Sequence, residues 1–529
     1  MLRRRPFGWL PILVQVSYLV FSVGDLPAQI ASPSPEVYYP GTDWRTSTPE
    51  AQGLDSSALA AMFDEIQARK IEAHSVLVIR HGYLVLEAYA DPFNRTERHA
   101  LNSATKSFAS ALVGIALRQG YIKNLDQKMV DFFPDRTIAN LDDAKRSITL
   151  EHLLTMTSGV SIDNLGRIFR TYFESQDWTE FYLNRPLMSP PGSQFYYDNG
   201  GVNLLTTILQ KASGQPVSDF ATRYLFDPIG ISGFTWSVDR QGSNMGYRGL
   251  ALTPLDMARL GYLYLHGGVW GGQNIVPADY VQASFTNHLI GRMTHGVDLS
   301  GDSGYGYLWW GLPFGGWAAS GGRGQVIMVL PKQDIVIVFS GDIDEDLHAG
   351  LELDDVTFGL AGKYIVKVAA DKPLPDNPVG RKSLAAAMES FKKGDQVVAL
   401  PAPQITQKVS GKVFHLETNR FGIRTISLEC TDSKDCWWEE TGDRGVSPKM
   451  RFSISGAYQR RMNGAWPVLV RGHWSDENTL IVDSFNQAHE QGKETVIFQF
   501  EDEDNLSVMF SAPGLMHDHP VLIHGKAES

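Results

Sequence analysis

The order of β-type and helix-type segments constrains the fold of this chain more than any other feature of its sequence. Residues 76–80 and 83–89 are alternating apolar runs split by His81-Gly82, which predicts a tight β-hairpin. Residues 125–286 are mostly helical in pattern. Further β-type runs follow at 305–312, 316–320, 325–330 and 335–339. Strands at both ends of a helical block predict an α+β fold, in which helices flank one antiparallel sheet and a helical lobe is inserted.

The last third of the chain has a different pattern. Several prolines surround a short charged helix within residues 371–400, which is typical of a linker. Short alternating runs with polar turns then predict a C-terminal all-β domain, a barrel or sandwich, over residues 401–529. The chain of 529 residues is also longer than the roughly 250–300 residues of one core. We therefore predict a first domain at 35–370, the linker and this β domain.

The N-terminal segment predicts export. Arg3, Arg4 and Arg5 precede an apolar stretch at 7–23, and small or polar residues follow at 28–32, the order found in a signal peptide. We expect cleavage after about residue 29, a periplasmic or secreted product and no membrane span after processing. An uncleaved anchor is the alternative, although the stretch is short for one. Cys430 and Cys436 are compatible with a disulfide-closed loop or with two thiols.

Charge and cysteine content narrow the classes of partner. A net charge of −12 argues against a nucleic acid or an anionic membrane surface as the main partner. Two cysteines six positions apart supply too few ligands for a zinc site. We therefore expect no metal, no cofactor and no nucleic-acid partner.

Ser103-Ala104-Thr105-Lys106 opens an apolar run with helical spacing and is the first candidate for chemistry. On the first turn of a helix, Ser103 and Lys106 would share one face, so that the amine could take the hydroxyl proton. The helix dipole would favour the developing anion. The same spacing occurs at Ser390 and Lys393, and it is also typical of a helix-cap serine followed by a solvated lysine.

A second candidate segment, residues 191–200, contains Tyr197 and Asn199. In an extended or turn segment, two residues at this spacing point the same way. A tyrosine can act as a general base when cations stabilise its phenolate, and Lys106 is the candidate cation. The Asn199 amide could hold that lysine or a substrate carbonyl. The alternative is a loop with an aromatic anchor and an Asn-Gly turn.

A third candidate segment is the run of small residues that includes Ser320, Gly321 and Gly322, just before an apolar strand. Small side chains would let a substrate lie against a sheet edge. A backbone N–H group here could join that of Ser103 in an oxyanion hole. The alternative is a glycine-rich hairpin turn.

Taken in this order, the three segments resemble the penicillin-recognising serine hydrolases, in particular their class C beta-lactamase-like branch. Ser103 and Lys106 match the S-x-x-K element, and Tyr197 and Asn199 match the Tyr-x-Asn element. The resemblance covers about residues 39–370 and is greatest to the 6-aminohexanoate-dimer hydrolase and esterase group. It implies the beta-lactamase/transpeptidase-like fold.

The resemblance also implies a role for each residue. Ser103 would form an acyl-enzyme, and Lys106 and Tyr197 would share its proton. Asn199 would position Lys106 or the substrate. The backbone N–H groups of Ser103 and Gly322 would hold the oxyanion.

The third segment departs from the family pattern. Ala319 stands where the family usually has a lysine or histidine that binds a substrate carboxylate, and Arg323 is a candidate replacement. We therefore expect an exported serine hydrolase acting on a small-molecule ester or amide. The alternatives are a D,D-peptidase or beta-lactamase acting on peptidoglycan-like substrates, and a catalytically silent binding protein of the same fold.

Overall fold

The computed structural model describes residues 37–160, 162, 167–289, 293–295, 304–343, 353–394, 397–431, 434–443, 445–463, 466–486, 492–511 and 520–528. The predicted signal segment lies outside these residues. Within them, no helix combines the length and the apolar character needed to cross a bilayer.

A six-stranded antiparallel sheet, built from residues 73–341, forms the centre of the larger N-terminal part of the chain. Its strands are β1 (Ala73–Arg80), β2 (Tyr83–Tyr89), β10 (Trp310–Gly311), β11 (Trp317–Gly321), β12 (Gln325–Leu330) and β13 (Ile335–Gly341). Their order in the sheet is β10-β11-β12-β13-β1-β2. Because β1 pairs with β13, the prediction of one sheet built from both ends is confirmed.

The predicted hairpin between β1 and β2 has the expected local chemistry. His81 and Gly82 have φ angles of 51° and 73°, the left-handed conformation that a two-residue hairpin turn requires. The predicted strand at 305–312 is shorter than expected, because the chain turns back there. The N–H group of Gly306 donates to the carbonyl of Trp309 at 2.8 Å, and only Trp310–Gly311 joins the sheet.

Helices cover both faces of this sheet, which is why every residue of β1 is buried. On one face lie α1 (Ser56–Ala68), α12 (Leu353–Ala361) and α13 (Pro378–Lys393). On the other face, α2 (Thr105–Arg118) and α10 (Pro254–Leu265) belong to the larger apolar core. Helix α13 is the charged helix predicted within the linker, and it is longer than expected. It packs on α1 through Phe391, whose ring centroid lies 5.0 Å from that of Phe63.

The inserted lobe consists of short helices and strands between β2 and β10. Besides α2 and α10, the helices between β2 and β10 are α3 (Asp143–Arg146), α4 (Leu150–Leu154), α5 (Arg167–Glu174), α6 (Trp178–Leu183), α7 (Asn199–Ser213), α8 (Val217–Ala221), α9 (Asp227–Ile229) and α11 (Ala278–Ser284). Its strands are β3 (His99–Ala100), β4 (Gln194–Tyr196), β5 (Thr235–Trp236), β6 (Leu250–Leu252), β7 (Val269–Trp270), β8 (Gln273–Asn274) and β9 (Met293–His295).

The C-terminal region is a second antiparallel sheet, preceded by the short helix α14 (Ile405–Val409). Its strands are β14 (Val413–Leu416), β15 (Ile423–Cys430), β16 (Asp435–Gly442), β17 (Gly445–Val446), β18 (Met450–Ser453), β19 (Gln459–Asn463), β20 (Trp466–Trp474), β21 (Thr479–Asn486), β22 (Lys493–Phe500), β23 (Asn505–Ser511) and β24 (Val521–Ala527). Their order is β17-β16-β15-β14-β24-β23-β22-β21-β20-β19, with β18 paired to β16.

The C-terminal sheet is all-β, as predicted, but its described strands do not close into a barrel. β18 lies against β20 without forming a ladder with it, so the curled sheet stays open. Cys430 and Cys436 face each other across β15 and β16 and form a disulfide. This disulfide is one of the two alternatives that the sequence left open.

Candidate active site

A strand-turn-helix unit positions Ser103. The chain leaves β3, turns at Asn102 with a φ of 48°, and passes through a 3₁₀ turn at Asn102–Ala104 into α2. Ser103 therefore lies just before α2 and not on its first turn. Lys106 Nζ donates a hydrogen bond to Ser103 Oγ at 2.8 Å. This distance would allow the hydroxyl proton to pass to a deprotonated amine.

The surroundings of Lys106 hold its amine close to Ser103. The side chain is buried, with 2% of the residue exposed. Its Nζ also donates to the carbonyl oxygen of Tyr247 at 3.1 Å. The ring centroids of Tyr197 and Tyr247 lie 4.8 Å and 5.7 Å from Nζ. The amine thus lies between a hydroxyl, a carbonyl and two aromatic rings.

Tyr197 follows β4 with its ring beside Lys106, and Asn199 follows two positions later. The ring of Tyr197 stacks on Trp310, with centroids 5.7 Å apart and planes at 25°. Asn199 is buried and is the first residue of α7. The structure therefore brings the Tyr-x-Asn segment to the S-x-x-K segment, more than ninety positions earlier in the chain.

Asp198, between these two residues, serves to anchor them. Its carboxylate caps α7 by accepting from the N–H group of Gly200 at 3.0 Å, and it accepts from the Tyr182 hydroxyl at 2.6 Å. Burial raises the pKa of Asp198 to about 7, against the lowering effect of these hydrogen bonds. Asp198 therefore fixes the start of α7, and with it Asn199.

The end of β11 lies directly against the turn that carries Ser103. A Cβ atom at Gly321 would collide with the carbonyl oxygen of Leu101 and lie only 3.0 Å from the nitrogen of Ser103, so only glycine fits here. The Asn102 side-chain amide donates to the carbonyl of Gly322 at 2.7 Å. Ser320 is buried one position earlier on β11. The third predicted segment is therefore at the site, with its backbone beside Ser103.

Arg323 does not replace the missing cation of this segment. Its guanidinium Nε forms an ion pair with Asp342, which follows β13 and is 2% exposed. Arg323 itself has a φ of 66° and is half-buried in the turn after Gly322. The structure thus places this arginine in an ion pair with the residue that follows β13.

Two site residues were not identified from the sequence. Tyr247 contributes a main-chain carbonyl, which has no side-chain signal. Trp310 supports Tyr197, but the sequence shows it only as part of an aromatic run. An aromatic wall continues from Tyr247 to Phe169 and Trp178, whose ring centroids are 6.2 Å and 6.3 Å from that of Tyr247.

The part of the chain that the structure describes contains no group of three or more histidine, cysteine, aspartate or glutamate residues arranged to hold a metal ion. The site offers a hydroxyl, an amine, a phenol and backbone N–H groups.

Comparison with known proteins identifies the family. Residues 59–349 match the family model described as Beta-lactamase. The chain is 24% identical over 309 residues to the 6-aminohexanoate-dimer hydrolase of Paenarthrobacter ureafaciens, a match that covers 55% of this chain and 79% of that protein. It is 25% identical over 209 residues to Esterase EstB of Burkholderia gladioli, covering 35% of this chain and 53% of the esterase, about half its length.

A solved structure shares the fold. It comes from Bacillus anthracis, is described as a candidate 6-aminohexanoate-dimer hydrolase, and matches with a TM-score of 0.50 at 20% identity. The match covers 63% of this chain and 89% of that one. Because the family model matches more than half of the sequence, the chain belongs to the beta-lactamase family and is a hydrolase of that fold.

Proposed function

We propose that this protein is an exported serine hydrolase that cleaves an ester or a small amide through an acyl-enzyme on Ser103. The observation that carries the proposal is the 2.8 Å hydrogen bond between the buried Lys106 amine and the Ser103 hydroxyl, at the edge of β11. The relatives named 6-aminohexanoate-dimer hydrolase and Esterase EstB support this substrate class.

Acylation would begin when the Ser103 oxygen attacks the substrate carbonyl. Its proton passes to the Lys106–Tyr197 pair, and the carbonyl oxygen becomes an oxyanion. The backbone N–H groups of Ser103 and Gly322 are the candidate donors to that oxyanion, since the two turns meet at Gly321.

Collapse of this intermediate would expel the alcohol or amine, and the leaving group would take the proton back from Tyr197. A water molecule would then attack the acyl-enzyme carbonyl and give its proton to the same base. The bond between the acyl group and Ser103 Oγ would break, the carboxylic acid product would leave, and the base would return the proton to Ser103 Oγ. Asn199 at the start of α7 would orient Lys106 or the substrate carbonyl.

The residues at the end of β11 supply no cation for a substrate carboxylate. Ala319, Ser320 and Gly321 present no cation, and Arg323 is held by Asp342. A β-lactam carboxylate would therefore lack the usual cation of this family. This is why we rank esters and small amides above β-lactams.

A substrate panel tests the proposal. Values of kcat/KM would be measured for p-nitrophenyl acetate and butyrate, a 6-aminohexanoate dimer, a chromogenic cephalosporin and a D-alanyl-D-alanine peptide. We expect turnover of the esters or the amide dimer. A cephalosporin or D-alanyl-D-alanine peptide as the best substrate would favour the beta-lactamase or D,D-peptidase alternative, and no turnover by folded protein would favour a silent binding protein.

Tyr197→Phe should lower kcat for ester hydrolysis by about 10²–10³-fold, the usual contribution of a positioned acid or base. The phenyl ring would still stack on Trp310. Tyr196→Phe is the matched control, because the Tyr196 hydroxyl donates to Gln194 at 2.7 Å on the preceding strand. Equal losses in the two variants, measured by steady-state kinetics, would argue against proton transfer by Tyr197.

The export part of the proposal rests on the arginine-led apolar stretch at 7–23 and on the Cys430–Cys436 disulfide, which suits an oxidising compartment. Intact-mass measurement of protein recovered from a secreting host tests it. A mature chain that begins near residue 30 is expected, and a full-length chain retained inside the cell would contradict it.

A further inference from the structure

The end of β11 and the turn after it lie between the segment that carries Ser103 and the C-terminal sheet. We call residues 321–324, which comprise the last residue of β11 and this turn, the edge turn. On one side, it contacts the segment that carries Ser103, through the close approach of Gly321 and the hydrogen bond from Asn102 to the Gly322 carbonyl. A displacement of the edge turn would therefore move the Gly322 N–H group relative to Ser103.

On its other side, the edge turn is fixed by a buried ion pair. Arg323 Nε binds Asp342 Oδ1, and Asp342 is almost fully buried. The carbonyl of Arg323 also accepts from the Gln325 side-chain amide at 3.0 Å. Because a buried charge requires its partner, the position of the arginine follows that of Asp342.

The C-terminal sheet completes this ion pair. The second carboxylate oxygen of Asp342 accepts from the main-chain N–H group of Lys493, the first residue of β22, at 2.8 Å. The preceding Gly492 has a φ of 68° and lies so close that a Cβ atom there would collide with both Asp342 and Arg323. The start of β22 thus covers the pair.

A second contact joins the same sheet to the segment that leads into Ser103. Arg460 on β19 forms an ion pair with Glu97, which is 3% exposed, two residues before β3. Phe485 on β21 packs against Phe93, with ring centroids 5.2 Å apart. The C-terminal sheet therefore contacts both chain segments that meet at Gly321.

We propose that the C-terminal sheet is a positioning element of the active site, acting through Asp342 and Arg323 on the edge turn. This inference rests on the proposed function, since it assigns the Gly322 N–H group to the oxyanion. Asp342, Arg323 and Gly492 are then positioning residues that touch no substrate, and Arg323 serves the site by holding its backbone.

Gly492→Ala tests this inference in the full chain. The added methyl group should push Arg323 and Asp342 apart and lower kcat for p-nitrophenyl acetate by about 10-fold or more, with KM within about twofold. Hydrogen exchange of the backbone at 321–326 should rise. Gly411→Ala is the matched control, because Gly411 also has a positive φ, 84°, but has open space around it; its kinetics and exchange should match the wild type.

Asp342→Asn is a second variant that leaves the backbone unchanged. It keeps an acceptor for Lys493 and removes the charge that holds Arg323, so the same fall in kcat and the same rise in exchange are expected. Asp443→Asn, which breaks the exposed Arg424–Asp443 pair, is its control.

Wild-type kinetics and exchange in both folded variants would overturn the inference and leave the proposed function standing. Equal effects in the control variants would also overturn it. Failure of the wild type to turn over any ester or amide would instead remove the proposed function, and with it the catalytic part of this inference.

Discussion

Ser103→Ala should abolish ester turnover, with a fall in kcat of about 10⁴–10⁶-fold, the range seen when a serine nucleophile is removed. The hydroxyl is the proposed nucleophile that forms the acyl bond, and Lys106 already lies in hydrogen-bond contact with it. The variant should fold normally, because Ser103 lies in a short turn whose backbone contacts do not involve its hydroxyl.

The chain contains a matched control for this variant. Ser390 and Lys393 repeat the same spacing on α13, where the Ser390 hydroxyl accepts from Gln67 at 2.8 Å on the far side of the sheet. Ser390→Ala should retain full activity in the same spectrophotometric assay. Turnover by Ser103→Ala at the wild-type rate would exclude Ser103 as the nucleophile.

Lys106→Met should lower kcat/KM for the same ester by about 10³–10⁴-fold, because it removes the base and keeps a chain of similar length. The methionine would occupy the space between Tyr197 and Tyr247 without a proton acceptor for Ser103. Thermal unfolding, followed by circular dichroism, should show a cooperative transition, so that the loss is one of chemistry.

Lys145 is a second buried lysine and serves as the control for the first. It is 1% exposed, and its Nζ donates to the carbonyls of Ala139, Leu183 and Arg185 at 3.0, 3.0 and 2.7 Å. Lys145→Met should reduce the free energy of unfolding by roughly 1–3 kcal/mol, through unsatisfied carbonyls, with kcat unchanged. If both lysine variants lost stability and activity in parallel, the effect of Lys106→Met would be structural.

Local sequence patterns specify which strands pair in this molecule better than they specify where each strand ends. The sheet built from both ends was predictable, because the His81-Gly82 turn and the alternating runs specify local pairing. The end of the run at 305–312 was not, since its apolar residues pack in a turn around Gly306 with the same composition as a strand. Strand patterns in the C-terminal region also predict neighbours but not closure, which depends on how far the whole sheet curls.

In the candidate site too, contacts between residues close in sequence were predictable, and contacts between distant residues were not. Ser103 and Lys106 are three positions apart, so the 3₁₀ turn before α2 and the first turn of α2 bring them together. The support of Lys106 by the Tyr247 carbonyl depends on packing across 141 positions. The direction of Arg323 was likewise unpredictable, because it is determined by Asp342, which follows β13, and by the backbone of β22.

The central claim is that Ser103 becomes covalently acylated. Peptide mapping by mass spectrometry, after reaction with a fluorophosphonate probe, tests it most directly. One adduct on the peptide that contains Ser103 is predicted, absent from Ser103→Ala and retained in Ser390→Ala. An adduct on another residue, or no adduct on folded wild-type protein, would contradict the assignment of Ser103 as the nucleophile.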